Sequence, residues 1–370
     1  MKKILLASAG LLALGSFGAQ AAEPLKLSIG GDMHQWVGYA SNKSYMNAAD
    51  VDTMGDAHID FTGETTLDNG LTIGVFVETN ASQDKSTHGD VGNSAVEESY
   101  LYLSSKFGLL SVGQLDNIAA TVHNSAPEVS GLGAQDGDWM DFILTPAGNR
   151  ATQKTYLSSE ATDNISYLTP SLYGFQVGFS YVPDTRIKQS GQLSIAQQHH
   201  DLYVGSLVYT GEVGPVGISA DLSMLSGHGA DADSNSKTYQ GGLQLSYADF
   251  TLGGSYMKQN LKRNAAVALE TGDSQSFDVG LSYEFEPFAV SLAYFKGKTD
   301  YETGSGSDKV QAWNLGGSYN MGPGVDVIGS VMRAKYDSKN ANFSVKDDAG
   351  DFAATKNQGW AVVTGVRLTF

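Results

Sequence analysis

Trp360-Ala361-Val362-Val363-Thr364-Gly365-Val366-Arg367-Leu368-Thr369-Phe370 is the stretch that decides the fold. Trp360, Val362, Val366, Leu368 and Phe370 fall on one face at period two, and Ala361, Gly365, Arg367 and Thr369 on the other, the alternation of a β-strand. One face is oily and the other is wet. A soluble sandwich would press the oily face against a second sheet. Here the same pattern recurs along the whole chain in segments of about ten residues, as a transmembrane β-barrel requires.

The amino-terminus points to export. Lys2 and Lys3 precede an apolar run from Ile4 to Leu14, and Ala19-Gln20-Ala21 offers a small-x-small cleavage site, so residues 1–21 read as a cleaved signal peptide. The mature chain, 22–370, is then long for one soluble domain. It shows no linker or change of composition, only strand-like segments separated by Gly, Asn, Asp and Ser clusters, which favours a single repetitive β domain. A barrel of this kind needs no central core to limit its size.

Composition agrees: 44 Gly, 18 Tyr and 15 Phe stand against 8 Pro and no Cys, so apolar and polar side chains are interleaved and no thiol ligand or nucleophile exists. The formal charge of −17 becomes two units more negative once Lys2 and Lys3 are removed. That balance speaks against a nucleic-acid partner. The acidity either keeps long loops soluble or enriches cations at a pore.

Strand segments pair through tight turns. The clearest is Asp68-Asn69-Gly70 between 56–67 and 71–80, because Asn-Gly favours the positive φ angles of a hairpin. Further pairs are 98–105 with 109–115, 164–169 with 175–182, 201–210 with 216–225, 238–248 with 250–259, 276–285 with 288–297, and 311–321 with 325–336. With 25–40 and the closing strand, sixteen antiparallel strands are predicted, with short periplasmic turns and long extracellular loops.

Four stretches then carry a family resemblance: Phe61 to Val75, Ser166 to Tyr181, the Gly322-Pro323-Gly324-Val325 turn and the closing Gly-Val-Arg-Leu-Thr-Phe. In this order they resemble general diffusion porins of Gram-negative outer membranes, of the alphaproteobacterial type. The resemblance implies a sixteen-stranded barrel inserted in outer-membrane lipid, usually a homotrimer, whose third long loop folds into the pore. It also implies that the loop from Ala81 to Val96 latches over a neighbouring subunit.

The third loop would be the long segment from Asp116 to about Lys154, which lacks clear strands. It carries Asp116, Glu128, Asp136, Asp138 and Asp141 against Arg150 and Lys154. In relatives such an acidic loop faces a basic wall. This sequence departs from that pattern, since the early strands offer Asp32, His34, Asp56, His58, Asp60, Glu64 and Glu78. Arg333, Lys335 and Arg367 are the best candidates for a residual basic wall, although the strand from Val325 is apolar on both faces. Rings of side-chain charge at a constriction select ions, so cation preference is expected. Asp136, Asp138 and Asp141 around Gly137 also suit a structural Ca²⁺, although the full EF-hand pattern is absent; no other cofactor is expected.

Two alternatives accompany the channel for ions and small hydrophilic solutes. A sugar- or phosphate-specific channel shares the fold, but neither an aromatic slide along the constriction nor a dense Arg cluster is visible. An outer-membrane enzyme would need a positioned base, for which His58 among Asp56 and Asp60 is the only arrangement worth naming, and no G-x-S-x-G elbow occurs. The expectation is therefore no enzymatic activity.

Overall fold

A computed structural model of the chain describes residues 24–43, 50–81, 96–146, 149, 161–184, 200–228, 235–262, 271–301, 306–338 and 356–370. The leader assigned to 1–21, the latching loop other than its first and last residues, and Arg150 and Lys154 lie outside them.

Sixteen strands close into one antiparallel barrel in sequence order. They are β1 (Lys26–Asn42), β2 (Val51–Thr66), β3 (Thr72–Asn80), β4 (Val96–Ser105), β5 (Gly108–Leu115), β6 (Thr162–Leu168), β7 (Phe175–Asp184) and β8 (His200–Val213). Next come β9 (Val216–His228), β10 (Asn235–Tyr247), β11 (Phe250–Lys262), β12 (Thr271–Phe285), β13 (Phe288–Tyr301), β14 (Ser307–Gly322), β15 (Val325–Ser338) and β16 (Asn357–Thr369). The barrel closes where β16 pairs with β1, Thr369 opposite Asp32, and Gly31 and Phe370 exchange both backbone hydrogen bonds at 3.0 Å.

Several strands start earlier than the sequence predicts: β2 at Val51 rather than Asp56, and β12 at Thr271 rather than Ser276. Alternation of oily and wet residues reports only the part of a strand that presents an apolar outer face. Beyond it the ladder continues through polar residues, which need backbone partners but no apolar face.

In β16 Trp360, Val362, Val366 and Leu368 are exposed on the outside, while Ala361 and Val363 are buried inside. The same arrangement orders the neighbours: Leu292, Trp313, Leu315 and Val331 face out. At Gly70, φ is +80°, and its amide donates to the Leu67 carbonyl at 2.9 Å, so the predicted Asn-Gly turn forms.

The expectation of a barrel without a core needs correction. The segment after β5 enters the barrel and lies against its inner wall. Its residues Leu132, Trp139, Phe142 and Ile143 pack with Trp36, Phe295, Met332, Tyr336 and Val363 in one buried cluster. A second cluster joins Ile118 and Ala119 to Val182, Leu202, Val204 and Leu225. Apolar groups on both faces of β13 to β16 are thereby explained: one face meets the surroundings and the other is covered by the loop.

Candidate functional site

The loop is held along its length by the wall it covers. It begins with a helical turn, Ile118–Thr121, capped by Asn117, whose side chain accepts from the amides of Ala119 and Ala120. The Ile118 amide donates to Ser180 Oγ on β7 at 2.8 Å. Asp221 on β9 accepts from the Asn124 amide at 2.7 Å, and Asp278 on β12 from the Ala126 amide at 2.6 Å. Ser130 meets Ser330 on β15 at 2.8 Å, and Trp139 Nε1 donates to Tyr336 Oη at 2.7 Å. Asn42 on β1 brackets the far end, donating to the Phe142 carbonyl at 3.2 Å and accepting from the Leu144 amide at 2.9 Å. The bonds made by the Ile118, Asn124, Ala126 and Leu144 amides and the Phe142 carbonyl satisfy backbone groups of an irregular segment buried inside the barrel, as such a segment requires.

The wall makes room with glycine. A Cβ at Gly38 would lie 2.3 Å from the Phe142 ring, and one at Gly242 would lie 1.7 Å from the Asn124 carbonyl oxygen. Only a residue without a side chain lets the loop approach so closely.

The loop lies against β6 round to β1 and Met54 on β2 also packs on its cluster, leaving the rest of the inner faces of β2 to β5 open. Between loop and bare wall lies a cavity of about 2050 Å³ that reaches the short-turn rim. All seven wall residues read from the sequence line it: Asp32, His34, Asp56, His58, Asp60, Glu64 and Glu78. From the loop Glu128, Asp136 and Asp138 join them. Asp249, Glu284, Glu286 and Asp326 complete twelve carboxyl groups, against Arg367 as the lone Lys or Arg of the lining among the described residues. That guanidinium is engaged, with Nη2 at 2.7 Å from Asp326 Oδ2.

Other expected site residues are not brought together here. Asp116 sits at the loop base, where its amide donates to Glu98 Oε1 at 3.1 Å, and neither it nor Asp141 lines the cavity. Arg333 and Lys335 require correction: both point outward beside Val331, because the inward positions of β15 hold Met332, Ala334 and Tyr336 under the loop. The alternative phase would bury two cations among apolar groups.

Nor do Asp136, Asp138 and Asp141 converge as a Ca²⁺ site would require. Asp138 Oδ2 is taken by the Gly133 amide at 2.6 Å, and Asp136 Oδ2 by Gln135 Nε2 at 3.0 Å. Among the described residues, the ligand atoms that lie within 4.8 Å of one another belong to His58, Glu78 and Glu97.

Burial pushes the Asp138 carboxyl well above the ordinary carboxylate range, reinforced by Asp136 nearby. Glu128 is raised chiefly by burial as well, partly offset by the hydrogen bond from the Gly131 amide at 2.8 Å. Asp136, exposed in the lumen, is the loop's most accessible lumen charge.

Glu97 and the wall carboxylates from the later strands escape sequence reasoning for different reasons. Glu78 pairs with Glu98 and Thr79 with Val96, so Glu97 is the extra residue of a β-bulge and departs from simple alternation. Glu284 lies in phase on the polar face of β12, and its alternation could have identified it.

A family model for Gram-negative porins matches residues 7–339. No curated protein matches. Among solved structures, the chain is similar to an anion-selective porin from Comamonas acidovorans, at a TM-score of 0.63 and 17% identity over 94% of this chain and 100% of that one. It is also similar to OmpF of Salmonella typhi in complex with daunomycin (TM-score 0.64, 17% identity, 93% and 98% covered). A third likeness is to OmpT of Vibrio cholerae in trimer form (TM-score 0.63, 13% identity, 94% and 100% covered). At these identities the likenesses speak for the barrel alone.

Proposed function

The chain belongs to the Gram-negative porin family, and from that membership we propose that this passive outer-membrane channel conducts ions and small hydrophilic solutes with a preference for cations. The observation that carries the preference is the described lining of twelve carboxyl groups, of which burial biases Glu128 and Asp138 toward the neutral form, against one guanidinium that is itself paired to Asp326. Fixed negative charge in a narrow lumen raises the local cation concentration and lowers that of anions. The barrel does not set the sign, since a similar one belongs to a porin described as anion-selective. What differs is the side chains that line the path.

A reversal potential measured across a planar bilayer in a potassium chloride gradient tests this reading. Current carried mainly by potassium at low salt supports it, and current carried mainly by chloride refutes it. The enzymatic alternative predicts lipid or peptide turnover that His58→Ala would abolish, so conductance without hydrolysis eliminates it.

Contact with outer-membrane lipid is supported by the outer surface. Tyr256, Phe277, Tyr294 and Trp313 follow one another around the outside from β11 to β14, Arg333 on β15 stands between Trp313 and Trp360, and Lys258, Lys296, Lys309 and Lys335 lie on the same outward face toward the long-loop rim. Such an aromatic belt suits a membrane–water interface, and the cations above it suit phosphate-bearing headgroups. Assembly as a trimer is likewise proposed, a state named for one structural relative. A monomer in mild-detergent electrophoresis would rule it out. Export through removal of residues 1–21 predicts a mature amino-terminus at Ala22 by mass spectrometry.

A further inference from the structure

His58, Glu78 and Glu97 converge on the bare wall from β2, β3 and β4. His58 Nε2 lies 3.2 Å from Glu97 Oε2, 3.5 Å from Asp56 Oδ1 and 3.9 Å from Glu78 Oε1. Ligands about 2.0–2.1 Å from a tetrahedral ion stand roughly 3.3–3.4 Å apart, so these distances bracket a coordination shell.

Several features distinguish the group from acidic residues that happen to share a lumen. His58 and Glu78 are only 7% and 6% exposed, so their positions are fixed by the wall. Asn80 Nδ2 donates to Glu97 Oε1 at 2.8 Å, which turns Oε2 toward the imidazole. The bulge at Glu97 delivers a third ligand to a point that regular pleating would not reach. On the other side of the ring Asp32 Oδ2 lies 3.9 Å from His58 Nδ1, longer than a hydrogen bond, so its charge gives electrostatic support to an imidazole that carries a cation on Nε2.

We propose that His58, Glu78 and Glu97 form a lumen-wall site for a divalent transition metal of the zinc type, with Asp56 or water completing it from the open side. One imidazole with carboxylates suits borderline ions such as Zn²⁺, whereas Ca²⁺ and Mg²⁺ favour all-oxygen shells with more ligands. A bound ion adds two positive charges to the wall opposite the acidic loop, so it lowers conductance and weakens cation preference. The site rests on the reading of the lumen as a water-filled path, but not on its ion preference.

Chelator-washed protein in detergent, titrated with zinc chloride by calorimetry, tests the site. One saturable site per chain is expected, weakened at least tenfold by His58→Ala and by Glu78→Gln but unchanged by His228→Ala, an exposed position at the end of β9. In bilayers zinc should reduce the current through the unmodified channel and spare His58→Ala, while equal magnesium does neither. Unchanged zinc affinity in His58→Ala, or equal binding of magnesium, overturns the proposal. Should the variants fail to form barrels, zinc X-ray absorption of the unmodified protein decides: a shell of oxygens and one imidazole supports it, and a shell without imidazole overturns it. Ion preference measured with chelator present is independent of this outcome, so the two readings fail separately.

Discussion

Replacing Asp136 by Asn tests the placement of the loop charge most directly. The side chain is exposed and lines the lumen, and Asn keeps its volume while removing the charge. A monovalent ion passing about 5 Å away in a water-like dielectric interacts with one carboxylate by roughly 0.8 kcal/mol, of which about 0.5 kcal/mol survives screening at 0.1 M salt. Loss of that term lowers potassium about twofold and raises chloride by the same factor. The permeability ratio should therefore fall about fivefold at 0.1 M and less than about twofold at 1 M, where the Debye length is roughly 3 Å. Asp138→Asn is the internal comparison. Asp138 is half-buried and its carboxyl is already biased toward the neutral form, while Asn can still accept from the Gly133 amide. Its ratio should change by less than about twofold at 0.1 M. Reversal potentials on single channels provide the measurement. Equal effects of the two changes, no effect of Asp136→Asn, or a chloride preference in the unmodified channel would refute the reasoning.

Gly242→Val places a side chain where a Cβ already meets the Asn124 carbonyl at 1.7 Å, so it should dislodge the loop, raise single-channel conductance and cost about 1–3 kcal/mol. Gly205→Ala, with nothing within 4 Å, should change neither conductance nor melting temperature. Arg333→Gln with Lys335→Gln should leave the reversal potential unaltered because both cations face outward; a shift in the permeability ratio would return them to the lumen. For pH, the raised carboxyls of Glu128 and Asp138 make the folded state bind more protons than the unfolded chain between the ordinary and raised values. Their contribution is thus fully present below the unfolded pKa and is lost as pH rises through the folded values. Melts from pH about 4 to about 8 should show this slope, and Glu128→Gln with Asp138→Asn should flatten it.

Much of the barrel is written in period two. Trp360, Val362, Val366 and Leu368 lie outside as their spacing requires, and the Asn-Gly turn marks where β2 becomes β3. The phase of β15 is harder to read because Val331 faces out while Met332 and Tyr336 face in, and all are apolar. Alternation distinguishes wet from oily, but it cannot distinguish lipid from a protein loop. That is why Arg333 and Lys335 look like wall residues in the sequence and are outward-facing in the fold. Two apolar faces on one barrel strand are therefore a positive signal: something inside covers it.

The bare wall was legible for the opposite reason. Asp56, His58, Asp60 and Glu64 alternate with apolar or small residues on β2, and nothing covers their inner face, so phase alone identifies cavity-lining side chains. Phase does not give height along the axis or proximity across strands. Asp32, His58 and Asn80 become neighbours only through the registers of β1 with β2 and β2 with β3. Glu97 joins them only through a bulge, which inserts a residue out of phase. Charge selection follows the same logic. An acidic loop opposite a basic wall would create a transverse field, but here carboxylates line both sides and Asp326 engages Arg367. Between like-charged walls the transverse fields oppose one another while the negative potentials add, so the proposed preference rests on a common negative well rather than on a dipole across the path.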